Sequence, residues 1–363
     1  MQLGQSTAAT EPLVEVIRGK VVEAIHRGAL AVVDCKGHLS AWVGNPDLVV
    51  TMRSSAKPFQ LLPLIESGAA DQWDLNEQQL AVIAGSHSGS DAHVATVRSI
   101  LKRIGLDQDA LLCGTHRPLD HQAAAALICA DAPPTSLHHN CSGKHAGMLA
   151  YAVSQGWSTE NYTDPEHPVQ LKILETLAEM AEMAVNQIEI GIDGCSVPVF
   201  GLPLRHAAWA FARLLDPSDL AASRQKACHR IVSAMTAHPE MVAGTGRFDT
   251  HLMQAASGRI VSKGGAEGYQ GLATWLEDQS GHSIALGLAL KIEDGNGRRG
   301  TPLATLETLR QLGVLEKLTP EALATLADFD RRPLYNYRHL PVGELKQVFA
   351  LRFLSAAKRF LED

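Results

Sequence analysis

Ser54-Ser55-Ala56-Lys57 places a hydroxyl and an amine three residues apart. On a helix that spacing sets both side chains on one face, about one turn from each other. A lysine held neutral there takes the serine proton as the hydroxyl attacks an acyl carbon, and a helix N-terminus favours the negative charge that develops. By itself S-x-x-K is a common tetrapeptide, and most copies are ordinary surface residues.

A second element, Ser262-Lys263-Gly264-Gly265, stands at the end of an expected strand late in the chain. In the penicillin-recognising enzymes a strand bearing K-[TS]-G faces the S-x-x-K helix, and the order here, helix early and strand late, is the same. The competing reading is a hairpin turn with an exposed lysine. A free lysine titrates near 10.4 and is protonated at neutral pH, so it cannot act as a base unless burial or a like charge lowers that value. If Lys57 and Lys263 converge, each disfavours protonation of the other; one can be neutral while the other stays a cation that orients substrate or stabilises an oxyanion.

Gly85-Ser86-His87-Ser88-Gly89 has histidine where a nucleophile elbow needs serine, so an α/β-hydrolase is excluded there. Ser86 remains a candidate second hydroxyl, paired with Lys263, against the plainer reading of a hydrophilic turn. Residues 138–147, His-His-Asn-Cys-Ser-Gly-Lys-His-Ala-Gly, and Asp193-Gly194-Cys195 gather ligand-type side chains in two segments. They could hold a zinc ion, or form a hydrogen-bonded substrate loop, or simply pack; neither C-x-x-C nor H-E-x-x-H is present to decide it.

These residues need elements to position them. From Leu13 to Trp42 β-branched runs broken by glycine and a turn at Asp34–Gly37 predict antiparallel strands. A helix is expected from Ser54 or Ser55 as cap to near Gly68, with Pro58 in its first turn. LAVIA near residue 80 leads into the GSHSGSD loop, followed by a helix over HVATVRSILKRIG. The middle of the chain reads as predominantly helical, one helix following TDPEHP with Leu171, Leu174, Ala178 and Ala181 on one face. Strands return around Ile260 and from His282 to Gly295. The expectation is an α/β (α+β) fold: an antiparallel sheet built from the N- and C-terminal segments with an inserted helical lobe. One catalytic domain, 1–363, would comprise a sheet lobe of about 13–60 and 250–363 and a helical lobe of about 61–249. Asp294-Gly295-Asn296-Gly297 lacks the carboxylate pattern of a calcium loop and reads as a turn. The segment from Ala350 onward reads as a packing helix.

Composition bounds the partners. With 45% hydrophobic and 20% charged residues the chain has enough apolar material for a full core, without the bias of a disordered protein. A net charge of −7 and no Lys/Arg-rich run argue against a phosphate-backbone grip, so a small molecule is the expected partner and nucleic acid is not. Residues 1–13 lack the pattern of a secretory signal, and no apolar run reaches the ~20 residues of a membrane span; a cytoplasmic location is expected. The six cysteines are widely spaced, as in a protein of buried free thiols.

The segments RSSAKPFQ, AGSHSG, CGTHRPLD, HNCSGKHAGML, DGCSVPVF, GTGRFDT and SKGGAEG together resemble the L-asparaginase II family, the rhizobial-type asparaginases, over about Val14 to Val348. The resemblance implies a fold like that of serine β-lactamases and glutaminases, a homodimer, and hydrolysis of L-asparagine to L-aspartate and ammonia. It assigns Ser54 with Lys57 and Ser86 with Lys263 as two Ser–Lys pairs; Ser54 is the preferred nucleophile, with Ser86 as an assisting or alternative hydroxyl. It also implies that Cys141, Lys144 and Cys195 surround a zinc ion beside the pocket, with Asp193 and His145 close by. A lysine can ligate only as a neutral amine.

Arg53, next to the nucleophile, is expected to clamp the substrate carboxylate, because its planar fork suits bidentate binding; His145 and Asp193 are the other expected substrate contacts. In the expected mechanism Lys57 takes the proton from Ser54 and returns it to departing ammonia, and water then hydrolyses the aspartyl ester. No organic cofactor is implied, and zinc would be structural or substrate-tuning. The rivals are another Ser–Lys acyl hydrolase (a glutaminase or a β-lactamase-like enzyme), a zinc-dependent amidohydrolase in which the serines only bind substrate, and an amino-acid-binding protein that cleaves nothing.

Overall fold

The structure, a computed structural model, describes residues 9–277, 281 and 283–354. The chain divides into two compact units, one of residues 1–52, 202–216 and 264–363, the other of 53–201 and 217–263.

The first unit is built on an antiparallel sheet. Its neighbours run in the order Arg332–Tyr335, Pro341–Gln347, Glu11–Arg18, Val21–Asp34, Ser283–Ile292 and Tyr269–Glu277, while Leu39–Val43 pairs with Val21–Asp34 and with Arg352–Phe353. Strands from both ends of the chain thus sit side by side, with Ala31 opposite Ala289 at the centre. Ala29 to Val33 are buried without alternation, which means that the sheet is covered on both faces there. The helix Leu204–Leu215 covers one part of it closely: a Cβ at Gly287 would stand 1.8 Å from Ala208 O, and one at Gly271 would stand 2.0 Å from the Phe211 ring. Glycine at these two positions is what lets helix and sheet approach.

The second unit is mainly helical. Every residue from Lys57 to Ile65 of the helix Lys57–Glu66 is buried, and it packs against Ser142–Gln155, Pro168–Met180 and Ala222–Ala237. Gly143 and Gly147 let Ser142–Gln155 cross Glu77–Ile83, since a Cβ at Gly143 would meet Val82 O at 2.3 Å.

The unit boundaries differ from the lobes expected of the sequence. Residues 53–60 and 250–263 belong to the helical unit and 202–216 to the sheet unit. Local pattern identifies strands and helices but not the body that each joins. Three local expectations also change. The first helix begins at Lys57 after a 3-10 turn, Arg53–Ala56, with Ala56 and not a serine at the cap position; Ser55 spends its hydroxyl elsewhere. LAVIA, which the sequence left as the end of a strand or of a helix, ends the helix Glu77–Ile83. On Pro168–Met180 Leu171 is 40% exposed, whereas Val169, Ile173, Leu174, Leu177 and Ala178 are buried, so the buried stripe lies one position away from Leu171. Beyond Ala350 a strand, Arg352–Phe353, replaces the start of the expected helix, and residues 355–363 lie outside the described part.

Candidate active site

All ten site residues expected from the sequence fall within the helical unit, Lys263 being its last residue. Arg53 opens the first turn with a left-handed backbone (φ 50°), a conformation costly for a residue with a Cβ and often found at functional sites. The strand Ile260–Gly265 carries Ser262 and Lys263, both buried. The two segments are tied together by Ser55 Oγ, which donates to Lys263 O.

Lys57 is 1% exposed, and its Nζ reaches Gly85 O at 2.6 Å, Ser86 Oγ at 2.8 Å and Asn140 O at 3.3 Å. The hydroxyl that meets Lys57 is therefore that of Ser86, in place of the expected Ser54; Ser54 makes no hydrogen bond among the described residues. The lysine side chain runs inward from the helix to oxygens of two remote segments, whereas Ser54 stays on the preceding 3-10 turn. Burial lowers the Lys57 amine from its ordinary value and Lys144 adds to this, against the raising effect of Cys141. Lys263 is lowered to about 7, chiefly by burial, with Lys57 and Arg247 adding and Asp249 opposing. Of the mutual weakening expected from the sequence one direction is seen, Lys57 lowering Lys263; the like charge that acts on Lys57 is Lys144.

The loop that offers Ser86 is held by His87, buried completely. His87 Nδ1 accepts from Gly89 N (3.1 Å), so the neutral ring carries its proton on Nε2, which donates to Ser142 Oγ (2.9 Å); that hydroxyl in turn donates to Leu137 O. Burial, aided by His93 and Lys57, keeps the ring far from protonation. Ser86 N donates to Val242 O at 2.7 Å, and a Cβ at Gly85 would meet the same oxygen, also at 2.7 Å. The histidine that removed this loop from the nucleophile elbows is thus its internal brace.

Arg53 Nε and Nη2 both reach Asp193 Oδ1, at 3.0 and 2.8 Å, and Gly194 N reaches the same oxygen at 2.8 Å. Asp193 Oδ2 has no hydrogen-bond partner among the described residues. Asp193 begins a turn whose Ser196 is also left-handed (φ 74°). His145, by contrast, lies fully buried: its Nδ1 is 2.7 Å from Tyr162 OH, which accepts from Leu112 N and so donates to the ring. Its proton is then on Nε2, which has no acceptor within the described residues, and burial holds the ring neutral.

Cys141, Lys144 and Cys195 come together. Lys144 Nζ is 3.0 Å from Cys195 Sγ, and each thiol shifts the titration of the other. Cys141 is held well below the usual thiol range by Cys195 and the nearby lysines, against burial; Cys195 is pushed up by Cys141 and burial. Burial lowers Lys144, but the two sulfurs outweigh it and raise the amine. Two converging sulfurs suit zinc, and Lys144 would join them only after losing its proton. No group of three His, Cys, Asp or Glu side chains suited to a metal occurs among the described residues.

A cavity of about 10 Å³ bordered by Lys57, Gln60, Lys144 and Met148 is of the size of one water. A groove of about 750 Å³ along Leu75–Gln78 and His229–Ser233 holds none of the Ser–Lys residues. Two groups absent from the expected site act on Lys263 through their charge: Asp249, buried and accepting from Ser262 Oγ at 2.7 Å, and Arg247. Both lie in GTGRFDT, a stretch whose only earlier signal was family resemblance.

Compared with known proteins, residues 14–347 match the L-asparaginase II family. The chain belongs to the L-asparaginase II family. Membership places it among asparaginase-type amidohydrolases and makes a small molecule its substrate class. No curated protein matches this family member. A solved structure titled "Crystal Structure Analysis of Mglu" is similar at 14% identity, covering 80% of this chain and 68% of that one, with a TM-score of 0.34. Among the described residues of this L-asparaginase II member, no helix is long and apolar enough to cross a membrane.

Proposed function

We propose that this protein is an L-asparaginase that hydrolyses the side-chain amide of L-asparagine through a covalent Ser–Lys mechanism. The observation that carries the reading is the buried Lys57 amine at 2.8 Å from the Ser86 hydroxyl. Burial disfavours the ammonium, and the neutral amine accepts a hydroxyl proton. The Arg53–Asp193 pair supports an α-amino acid as substrate. Its guanidinium suits the α-carboxylate, and Asp193 Oδ2 remains to receive the α-ammonium group.

In this reading Ser54, beside Arg53 on the same turn, attacks the amide carbon. The Lys57–Ser86 pair handles the proton, delivering it to departing ammonia, and Lys263 holds the proton network and the oxyanion with them. Water then releases aspartate by the same path in reverse. A second reading has Ser86 itself as nucleophile, and its direct contact with Lys57 favours it. The β-lactamase-like fold and the homodimer implied by the family resemblance belong to the same proposal. Zinc would be held by Cys141, Cys195 and neutral Lys144; as a divalent charge it would fix the loops that carry Asp193 and Asn140 and strengthen their polar contacts.

The test is ammonia release from L-asparagine and L-glutamine at about pH 7 to 9, with acid-quenched mass spectrometry to map the acyl adduct. Release from asparagine with an aspartyl mass on the Ser54 peptide supports the first reading, and on the Ser86 peptide the second. Release without any adduct, or none from either substrate, would overturn the proposal.

A further inference from the structure

Residues 113–120, CGTHRPLD, carry part of the family resemblance and hold no residue of the Ser–Lys site, yet they touch both loops that meet Lys57. Lys57 Nζ faces three oxygens: the carbonyls of Gly85 and Asn140 at 2.6 and 3.3 Å and the Ser86 hydroxyl at 2.8 Å. Carbonyls only accept. They take the two N–H bonds of a neutral amine, and its lone pair is then directed at the Ser86 hydroxyl, whose proton it must receive. Each carbonyl belongs to a peptide that is fixed through its N–H side. Ser86 N donates to Val242 O at 2.7 Å, and Cys141 N donates to His139 Nδ1 at 3.0 Å. His139 is part of the same loop as Asn140 and moves with it, so that loop needs an outside anchor. His116 supplies one: its Nε2 accepts from Asn140 N at 3.0 Å, and its ring lies against that of His139 with centroids 4.3 Å apart. The His116 Nδ1, 2.7 Å from Arg117 O, carries the proton and donates there, so the ring is the neutral tautomer that can accept at Nε2. Four residues on, Asp120 N donates to Ser88 O at 2.8 Å, which fastens the same segment to the Ser86 loop.

We propose that His116 is a positioning residue of the proton-transfer centre: by holding the Asn140 backbone from outside its loop, it keeps the Asn140 carbonyl on Lys57 and the lone pair of the amine on Ser86. Without that carbonyl the amine turns an N–H towards the Ser86 hydroxyl, whose proton then has no acceptor. His116 hydrogen-bonds neither the hydroxyl nor the amine, and its loss leaves the Arg53–Asp193 pair in place. The step affected is therefore turnover and not the binding of the amino-acid head group.

The inference rests on the proposed reading in which neutral Lys57 takes a proton through Ser86. His116→Gln places an acceptor oxygen where Nε2 stands, His116→Asn holds its oxygen short of that place, and His116→Leu has none. His116→Leu and His116→Asn should lower kcat for ammonia release by about 10- to 100-fold, the scale of a small misplacement of a reacting group, with KM within about three-fold of wild type. His116→Gln should stay within about three-fold of wild type in both constants. The contrast between Gln and Asn carries the test if His116→Leu does not fold. Crystal structures of the variants need no turnover: Asn140 O should stay beside Lys57 Nζ in His116→Gln and move beyond hydrogen-bond distance, about 3.5 Å, in His116→Asn. Normal kcat in His116→Asn, an equal loss in His116→Gln, or an unmoved Asn140 O in His116→Asn would overturn the proposal. Near-normal turnover by Lys57→Met would instead sink the underlying reading, and the proposal with it. A wild type that releases no ammonia leaves the crystal structures to decide the positioning.

Discussion

Lys57 Nζ stands 2.8 Å from Ser86 Oγ, a residue 29 positions along the chain, and not against the serine three positions before it. Lys57→Met should therefore lower kcat by about 10²- to 10⁴-fold, the usual contribution of a positioned proton acceptor. Its thermal stability should be equal to wild type or higher, because the substitution removes a buried amine. Stopped assays of ammonia release beside thermal melts check both halves; near-normal turnover by Lys57→Met would remove it from the chemistry.

The Arg53–Asp193 pair predicts a split between binding and turnover. Arg53→Lys loses the planar fork and should raise KM for asparagine more than about ten-fold with kcat little changed. Asp193→Asn should move KM in the same direction. If either variant instead loses kcat at unchanged KM, the pair acts on the reacting atoms and not on the amino-acid head group.

Stability against pH follows from Lys263. Its folded value, about 7, lies below its ordinary 10.5, so between those values the unfolded chain binds more protons. Stability consequently rises as the pH is raised through that window, each unit of separation being worth about 1.4 kcal/mol before local relaxation is allowed for. Denaturant titrations at several pH values should show a shallower rise for Lys263→Met than for wild type. Lys57, lowered as well, leaves part of the rise in place. Parallel curves for the two proteins would contradict the assigned direction.

Gly287→Ala tests the sheet unit alone. The new methyl would stand 1.8 Å from Ala208 O, a backbone atom of the covering helix that cannot rotate away. The expected cost is about 1–3 kcal/mol in a denaturant titration, in the range of overpacked cores. Gly19→Ala should not share that cause, since nothing lies within 4 Å of a Cβ there; its penalty would come only from its positive φ.

For the sulfur cluster, Cys195→Ser should weaken zinc affinity by at least about ten-fold, measured by competition with a chromogenic chelator. Lys144→Met should also weaken it, and in wild type zinc uptake should become tighter as the pH rises and Lys144 gives up its proton. An affinity that is the same in all three proteins would remove these residues from any metal site.

The order of the motifs was readable from the residues. So were the strand runs that meet as Val21–Asp34 and Ser283–Ile292, because continuous β-branched and apolar stretches have few other solutions. The helix after Thr163-Asp164-Pro165 was also legible, but Leu171 was assigned to its buried face and is exposed. Apolar identity cannot say which of two adjacent stripes meets a neighbour. The helix cap at Ser54 or Ser55 was misjudged for a related reason. Ser55 hydrogen-bonds the carbonyl of Lys263, 208 residues away, and no local rule sees that partner.

The sequence by itself determined the chemical inventory: two serines, two lysines, an arginine, and the cysteines with Lys144, in the order that marks the L-asparaginase II family. Only the tertiary structure decided the pairing within it. A lysine side chain is long and flexible, and spacing along a helix states where it starts but not which oxygens it reaches. Burial then makes the choice binding, since a desolvated amine must find acceptors. Lys57 found Gly85, Ser86 and Asn140, Ser262 found Asp249, and Arg53 was committed to Asp193, each through segments that chain folding alone brings together.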